Sequence, residues 1–190
     1  MKNYIIFDLE ATCIEDRKVQ FTNEIIEIGA VKLDKDLTQI DTFQTFIKPT
    51  INPVLSDFCV NLTTIQQQEV DNGEGFEEAL QRFASWIKAD ADDAQLLSWG
   101  HYDKNQILNE AQIKGYTGEI HTLLEHHRSL KHDFAKIKKT KACGMLKALA
   151  KLRIEPTGTH HRGLDDALNI AEIFKAIYGE YQVWLEIGES

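Results

Sequence analysis

Asp8 and Glu10 are two carboxylates, one residue apart, at the end of an apolar run that begins at Tyr4. The run is typical of a strand that enters a core, and residues two apart on a strand face the same side. Like charges crowded together are costly unless a positive charge lies between them. Two divalent ions about 3.5–4 Å apart, the spacing that supports phosphoryl-transfer chemistry, would fit this pair. The alternative is that the strand ends at Phe7 and both side chains are solvated.

Two other segments bring acids toward the interior. Asp103 follows an apolar strand and shares a helical stripe with Ile107 and Ala111, which predicts that it faces inward. Asp166 heads a stripe of isoleucines, whereas its neighbour Asp165 lies on a polar stripe and suits an acid near a helix N-terminus. Inward acids from three separate segments indicate a shared metal site rather than surface chemistry.

Two adjacent histidines, His160 and His161, precede Asp166 in the turn that leads into the last helix. A histidine beside a carboxylate–metal cluster can accept a proton from water near neutral pH. A loop histidine is also often simply solvated. The residues alone do not choose between the two histidines.

The elements that position these residues form an α/β pattern. Strands are predicted at 3–9, 24–34 and 40–49, then a loop with a short helix through residue 70, a helix at 75–89, a strand at 94–100, a helix at 103–115, helical pieces in the basic region and a long helix at 163–180. A three-strand meander followed by alternating helix and strand predicts a mixed β-sheet flanked by α-helices.

Length and composition indicate one domain. The chain has 190 residues, 43% hydrophobic and 27% charged, which suits a single domain at 1–180 followed by a C-terminal tail at 181–190. We expect no membrane span and no leader segment before Asp8. Three cysteines, which cannot all pair and lack zinc-site spacing, favour a reducing cytoplasm; they are Cys13, Cys59 and Cys143.

Charge is unevenly distributed along the chain. The net charge is -9, yet the basic window, residues 126–153, contains nine Lys/Arg residues and a single acid, Asp133. A local basic surface on an acidic protein is compatible with a polyanionic substrate held at one place. The alternative is an ordinary solvated helix face.

Five segments in order resemble the DEDDh 3′→5′ exonucleases, and more narrowly the Eri-like and KapD-like branch that includes histone-mRNA exonucleases. They are FDLEATC, EIIEIGAV, LSDFCVNLTTI, SWGHYDKNQI and HRGLDDALNIA. The resemblance implies a ribonuclease-H-like fold. It also implies metal binding by four acids, Asp8, Glu10, Asp103 and Asp166.

The same resemblance assigns the general base and the substrate contacts. The family's His-x4-Asp spacing fits His161 rather than His160. Substrate contacts are implied for Ala11 and Thr12, with Thr12 at the terminal ribose, and for Phe58 against the terminal base. Thr64 stands where relatives often have glycine, which predicts an altered loop backbone there.

The implied activity is removal of nucleoside 5′-monophosphates from single-stranded nucleic acid with a free 3′ hydroxyl, with RNA favoured over DNA. Two Mg²⁺ or Mn²⁺ ions per site would serve as cofactors. Two alternatives remain open: a proofreading-type DNA exonuclease, and a non-catalytic regulatory protein of the KapD kind on the same fold. The sequence leaves the oligomeric state undetermined.

Overall fold

A five-stranded sheet in the order β3-β2-β1-β4-β5 forms the centre of the molecule. The structure is a computed structural model that describes residues 2–16, 18–89 and 93–188. The first three strands pair antiparallel, whereas β4 runs parallel to β1 and to β5. The strands are β1 Lys2–Ala11, β2 Ile25–Leu33, β3 Gln39–Phe46, β4 Asp93–Ser98 and β5 Arg128–Ser129.

Helices cover both faces of this sheet. One apolar cluster joins the sheet to α3, α4 and α5, and a second joins it to α6, α7 and α8. The helices are α1 Asp57–Thr63, α2 Gln67–Asp71, α3 Phe76–Lys88, α4 Tyr102–Lys114, α5 Ile120–Glu125, α6 Leu130–Ile137, α7 Met145–Leu152 and α8 Gly163–Gly188. The predicted mixed sheet flanked by helices is therefore confirmed.

The strand β1 is longer than the sequence predicts. It continues to Ala11, so Asp8 and Glu10 lie inside a paired strand, opposite Gly29 and Glu27 of β2. The alternative that the strand ends at Phe7 is wrong. Pairing with β2 on one side and β4 on the other fixes the strand that carries both acids.

The end of the chain also differs from the pattern that the sequence gives. Residues 181–188 continue α8, and Tyr181 is buried in the second apolar cluster. The last two residues of the predicted tail lie outside the described ranges. The short elements β5 and α5 are additions to the predicted order. Across the described residues, no helix has the length and apolar character that a membrane crossing requires.

Two glycines allow the start of α8 to lie directly on the sheet. A Cβ atom on Gly29 would lie 2.0 Å from the backbone nitrogen of Leu164, and one on Gly163 would lie 3.2 Å from the carbonyl oxygen of Asp8. No side chain fits at Gly29 at that distance. Because the helix begins this close to β1, its first turn carries Asp166 to the acids of that strand.

Candidate active site

Four acids from three elements meet at the carboxyl end of β1. Carboxylate oxygens of Asp8, Glu10 and Asp166 all lie within 4.8 Å of one another. Asp103, in the first turn of α4, is 4% exposed and lines the same cleft. The structure therefore brings together all four acids that the sequence predicts as metal ligands.

The electrostatics of this cleft are unfavourable for four bare carboxylates. Burial, and then the charge of Asp103, raises the pKa of Asp8 well above its usual value. Burial, and then Asp166, raises the pKa of Glu10 to about 9. Burial raises the pKa of Asp103 to about 6. The cluster therefore favours bound protons or bound cations over four free negative charges.

The donor set suits a hard divalent cation. The described residues that line the cleft include four acids and two histidines, and no lysine or arginine is among them. Carboxylate oxygens are the ligands that Mg²⁺ and Mn²⁺ prefer. Since no basic side chain in that lining balances the acids, the residues present fit the predicted metal site.

The two histidines of the turn contact Asp166 in different ways. The Nδ1 atom of His160 lies 2.9 Å from Oδ2 of Asp166, whereas His161 donates its backbone N–H to the same oxygen at 3.0 Å. The two rings stack with centroids 3.9 Å apart, and His161 has a positive φ of 65°. Burial, and then His160, lowers the pKa of His161. Both rings line the cleft.

The predicted substrate contacts lie beside the cleft. Phe58, 37% exposed, lines a second pocket that shares Tyr102 with the acid cleft. Thr12 is buried, and its hydroxyl oxygen accepts the backbone N–H of Glu24 at 2.9 Å, which leaves the hydroxyl hydrogen to donate. The carbonyl of Ala11 accepts a weak hydrogen bond from the Cys59 thiol. Of these three residues, Phe58 lines the pocket next to the acid cleft, and Ala11 and Thr12 line neither of these two pockets.

Sequence reasoning missed two residues that the structure places at the site. Tyr102 is 53% exposed and lies between the two pockets. Its position directly before Asp103 was a usable signal. Glu27 is fully buried opposite Glu10. The sequence did show an acid among apolar residues in EIIEIGAV, which is unusual for a buried strand.

The contacts of Asp165 and the backbone at Thr64, where relatives often have glycine, are explained by the local structure. Asp165 is not among the described residues that line the acid cleft, and its carboxylate accepts the backbone N–H of Thr159 at 2.7 Å. Thr64 ends α1 with a φ of 62°, the left-handed conformation that glycine adopts most easily. The structure therefore gives this chain the backbone conformation that a glycine would suit, although a threonine occupies the position.

The basic window forms part of the wall of the cleft. Gly144, directly before α7, and Met145, the first residue of α7, line the cleft. Several basic side chains of the window are engaged within the protein: Arg128 pairs with Asp133, and Lys138 pairs with Glu180. The window therefore contributes Gly144 and Met145 to the cleft, and none of its lysine or arginine side chains is among the described residues that line it.

Comparisons with known proteins identify the class and then the family. The fold is that of ribonuclease-H-like exonucleases: exonuclease I is matched with a TM-score of 0.75 at 12% identity, over 98% of this chain and 44% of that chain. Residues 5–174 match the exonuclease family RNase_T, and the chain belongs to that family. The predicted fold and family resemblance are both confirmed.

Individual relatives agree with this assignment. The 3'-5' exoribonuclease 1 of Homo sapiens is 35% identical over 176 residues, which cover 88% of this chain and 50% of the relative. The corresponding protein of Rattus norvegicus is 33% identical over the same shares. The nuclease domain of 3'hExo, a DEDDh family member solved with bound rAMP, is matched with a TM-score of 0.87 at 31% identity, over 94% of this chain and 92% of that chain. This chain spans about half the length of those curated relatives.

Proposed function

We propose that the protein is a metal-dependent 3′→5′ exonuclease that releases nucleoside 5′-monophosphates from single-stranded nucleic acid. The observation that carries this proposal is the cluster of Asp8, Glu10 and Asp166 oxygens within 4.8 Å, in a cleft whose described lining contains no lysine or arginine. Membership of an exonuclease family over residues 5–174 supports it. We assign the activity to a single domain, residues 1–180, with 181–190 as its C-terminal extension.

The four acids would hold two Mg²⁺ or Mn²⁺ ions, with Asp8, Glu10 and Asp166 as direct ligands and Asp103 as a support. When bound, such ions would neutralise phosphate charge and lower the pKa of a water molecule, so that it can attack as hydroxide. The oxygen donors of the four acids and the raised pKa values of Asp8 and Glu10 support this role. Metal binding would displace protons from these groups, because the ligands must be ionised to coordinate.

His161 is the proposed general base. Its lowered pKa keeps the imidazole unprotonated near neutral pH, so a ring nitrogen is free to take a proton from water. His160 would hold the Asp166 carboxylate through its Nδ1 atom. This division of roles follows from the family spacing and from the different contacts that the two histidines make with Asp166.

The terminal nucleotide would lie between the two pockets. Phe58 and Tyr102 present aromatic surface there and would pack against the terminal base. Thr12 retains a hydroxyl hydrogen for the terminal ribose, and Ala11 provides backbone beside it. A free 3′ hydroxyl at this position would define the end from which the strand is degraded.

RNA is the favoured substrate. Two curated relatives are named 3'-5' exoribonuclease 1, and a solved relative recognises the histone mRNA stem-loop. A DNA exonuclease is the second candidate, because the metal ions that the four acids would hold act on a phosphate group, which RNA and DNA share. All five signature residues are present, which argues against a purely regulatory protein. We place the activity in the cytoplasm. The three cysteines, which cannot all form disulfides, support a reducing compartment.

The proposal is tested with matched 5′-labelled single-stranded RNA and DNA of one sequence, incubated with the protein and Mn²⁺. The expected result is a ladder of products shortened from the 3′ end, with faster loss of the RNA. Asp166→Asn is the control for a contaminating nuclease. No shortening of either strand by the folded wild-type protein would refute the proposed activity.

A further inference from the structure

Glu27 is a buried carboxylate that is not one of the proposed metal ligands. It lies on β2, is fully buried and stands directly opposite Glu10 in the strand register. Cross-strand neighbours project to the same side of a sheet, so Glu27 lies close to the acids of β1. Burial is the main cause of the raised pKa of Asp8 and of Glu10, and Glu27 adds to both shifts. A carboxyl group buried in this position needs hydrogen-bond or ion-pair partners.

The contacts of Glu27 identify these partners. One carboxylate oxygen accepts the backbone N–H of Gly163 at 3.0 Å and lies 3.4 Å from Nε of Arg162, while the other accepts from the Gln44 side chain at 2.7 Å. Gly163 is the first residue of α8. Glu27 therefore accepts one of the N–H groups that the start of a helix leaves without a partner, where a negative charge is also favourable.

Arg162 and Gly163 belong to the histidine turn, defined here as residues 159–163. The carbonyl of Arg162 accepts the backbone N–H of Asp166 at 2.8 Å, and the guanidinium of Arg162 also lies 3.4 Å from Glu69. The guanidinium carbon lies 5.3 Å from the ring centre of Phe46. One carboxylate on β2 thus holds the residues between His161 and Asp166.

We propose that Glu27 is a positioning residue: it fixes the histidine turn over the acids of β1, so that His161 and Asp166 stand in register with Asp8 and Glu10. This inference rests on the proposed function. Small displacements of reacting groups lower turnover strongly, whereas substrate affinity depends on contacts elsewhere. Loss of Glu27 should therefore slow the chemical step more than it weakens binding.

The test compares Glu27→Gln with Glu110→Gln. Glu110 is a matched control, because it is also buried, accepts the backbone N–H of Ile25 at 2.7 Å and pairs with Lys114 at 2.9 Å. Among the described residues, no hydrogen bond or ion pair joins it to the histidine turn. For Glu27→Gln we expect turnover at saturating RNA to fall about tenfold or more with KM within about twofold. Glu110→Gln should lower the melting temperature and leave the turnover of the folded protein unchanged.

Hydrogen exchange of the metal-free protein provides a readout that does not depend on activity. In Glu27→Gln, the amides of residues 161–166 should exchange about tenfold faster, with the rest of β2 still protected, and Glu110→Gln should not show this change. If Glu27→Gln does not fold, Arg162→Gln replaces it, since Arg162 is partly exposed, and the same two changes are expected in smaller degree. Wild-type turnover or unchanged exchange in a folded variant would overturn the inference, whereas an inactive wild type would overturn the proposed function itself.

Discussion

The Nδ1 atom of His160 lies 2.9 Å from one Asp166 oxygen and 3.0 Å from the other, so its ring faces both oxygens of that carboxylate. This contact orients the Asp166 carboxylate and occupies Nδ1 of His160. His161 contacts Asp166 through its backbone instead, which leaves its ring uncommitted to that carboxylate. The two adjacent histidines therefore make different contacts with Asp166.

The first prediction tests the roles proposed for His160 and His161. His161→Asn should lower turnover about 100-fold or more, because a general base contributes on that order. His160→Asn should cost less, because it loosens Asp166 but leaves the base in place. Turnover at fixed Mn²⁺ measures both. A larger loss in His160→Asn would move the base to His160 and contradict the spacing argument.

The second prediction contrasts neighbouring aspartates. Asp166→Ala should reduce turnover about 100-fold or more, because the change removes a cation ligand. The protein should stay folded, because the same change relieves repulsion among the acids. Asp165→Ala should leave turnover within a few-fold of the wild type, since its contact is the backbone N–H of Thr159. Loss of activity in Asp165→Ala together with an active Asp166→Ala would refute the assignment.

The third prediction concerns pH. The pKa of Glu10 is about 9 in the folded protein against 4.5 ordinarily, so between these values the folded chain binds more protons than the unfolded chain. The free energy of unfolding of the metal-free protein should therefore fall as pH rises through that window, and the raised pKa of Asp8 acts in the same direction. Melting temperatures in a chelator measure this effect.

The same measurement has an internal control. Added Mn²⁺ should raise the melting temperature most at the high end of the window, where the acids are ionised and repel one another. Asp8→Asn should flatten the fall in the metal-free protein and reduce the response to Mn²⁺. A metal-free melting temperature that increases steadily from about pH 5 to about pH 9 would contradict the unfavourable acid cluster.

The fourth prediction is polarity. An RNA blocked by a 3′-phosphate should resist degradation, because the site proposed beside Thr12 must accept a free terminal hydroxyl. The same RNA with a 3′ hydroxyl is the matched substrate, and gel analysis of the 5′-labelled strands compares them. Rapid cutting of a circular RNA would instead indicate an endonuclease.

The fifth prediction concerns four lysines of the basic window. Their joint replacement by glutamine should weaken binding of long single strands and flatten the dependence of log affinity on log salt, because each lost phosphate contact with a single strand removes about 0.7 unit of slope. Turnover at saturating substrate should change little, since none of them lines the cleft. The lysines are Lys136, Lys138, Lys139 and Lys141.

Affinity measured at several salt concentrations, for long and very short oligonucleotides, decides this point. Lys88→Gln is the control, since Lys88 is an exposed lysine at the end of α3 that pairs with Glu119. Parallel salt lines of equal intercept for the fourfold variant and the wild type would show that the window is an ordinary solvated surface.

The sequence by itself determined the elements that carry the acids. The two-residue period of a strand placed Asp8 and Glu10 on one side, and the helical stripes turned Asp103 and Asp166 inward; in the structure all four meet in one cleft. These patterns are legible because they depend on neighbours a few residues away. The boundaries of the first four strands and of α3 and α4 followed within a few residues, whereas β5, α5 and the extension of α8 to Gly188 did not.

Only the tertiary structure decided how the histidine turn is held. The hydrogen bond from Gly163 to Glu27 joins residues 136 positions apart. The close contact between Gly29 and Leu164, which leaves no room for a Cβ atom, spans a similar distance along the chain. No local periodicity encodes which buried acid faces which helix start. Such pairs form because packing of α8 on β1 and β2 leaves backbone N–H groups and a buried charge that must satisfy each other, and that requirement arises once the chain has folded.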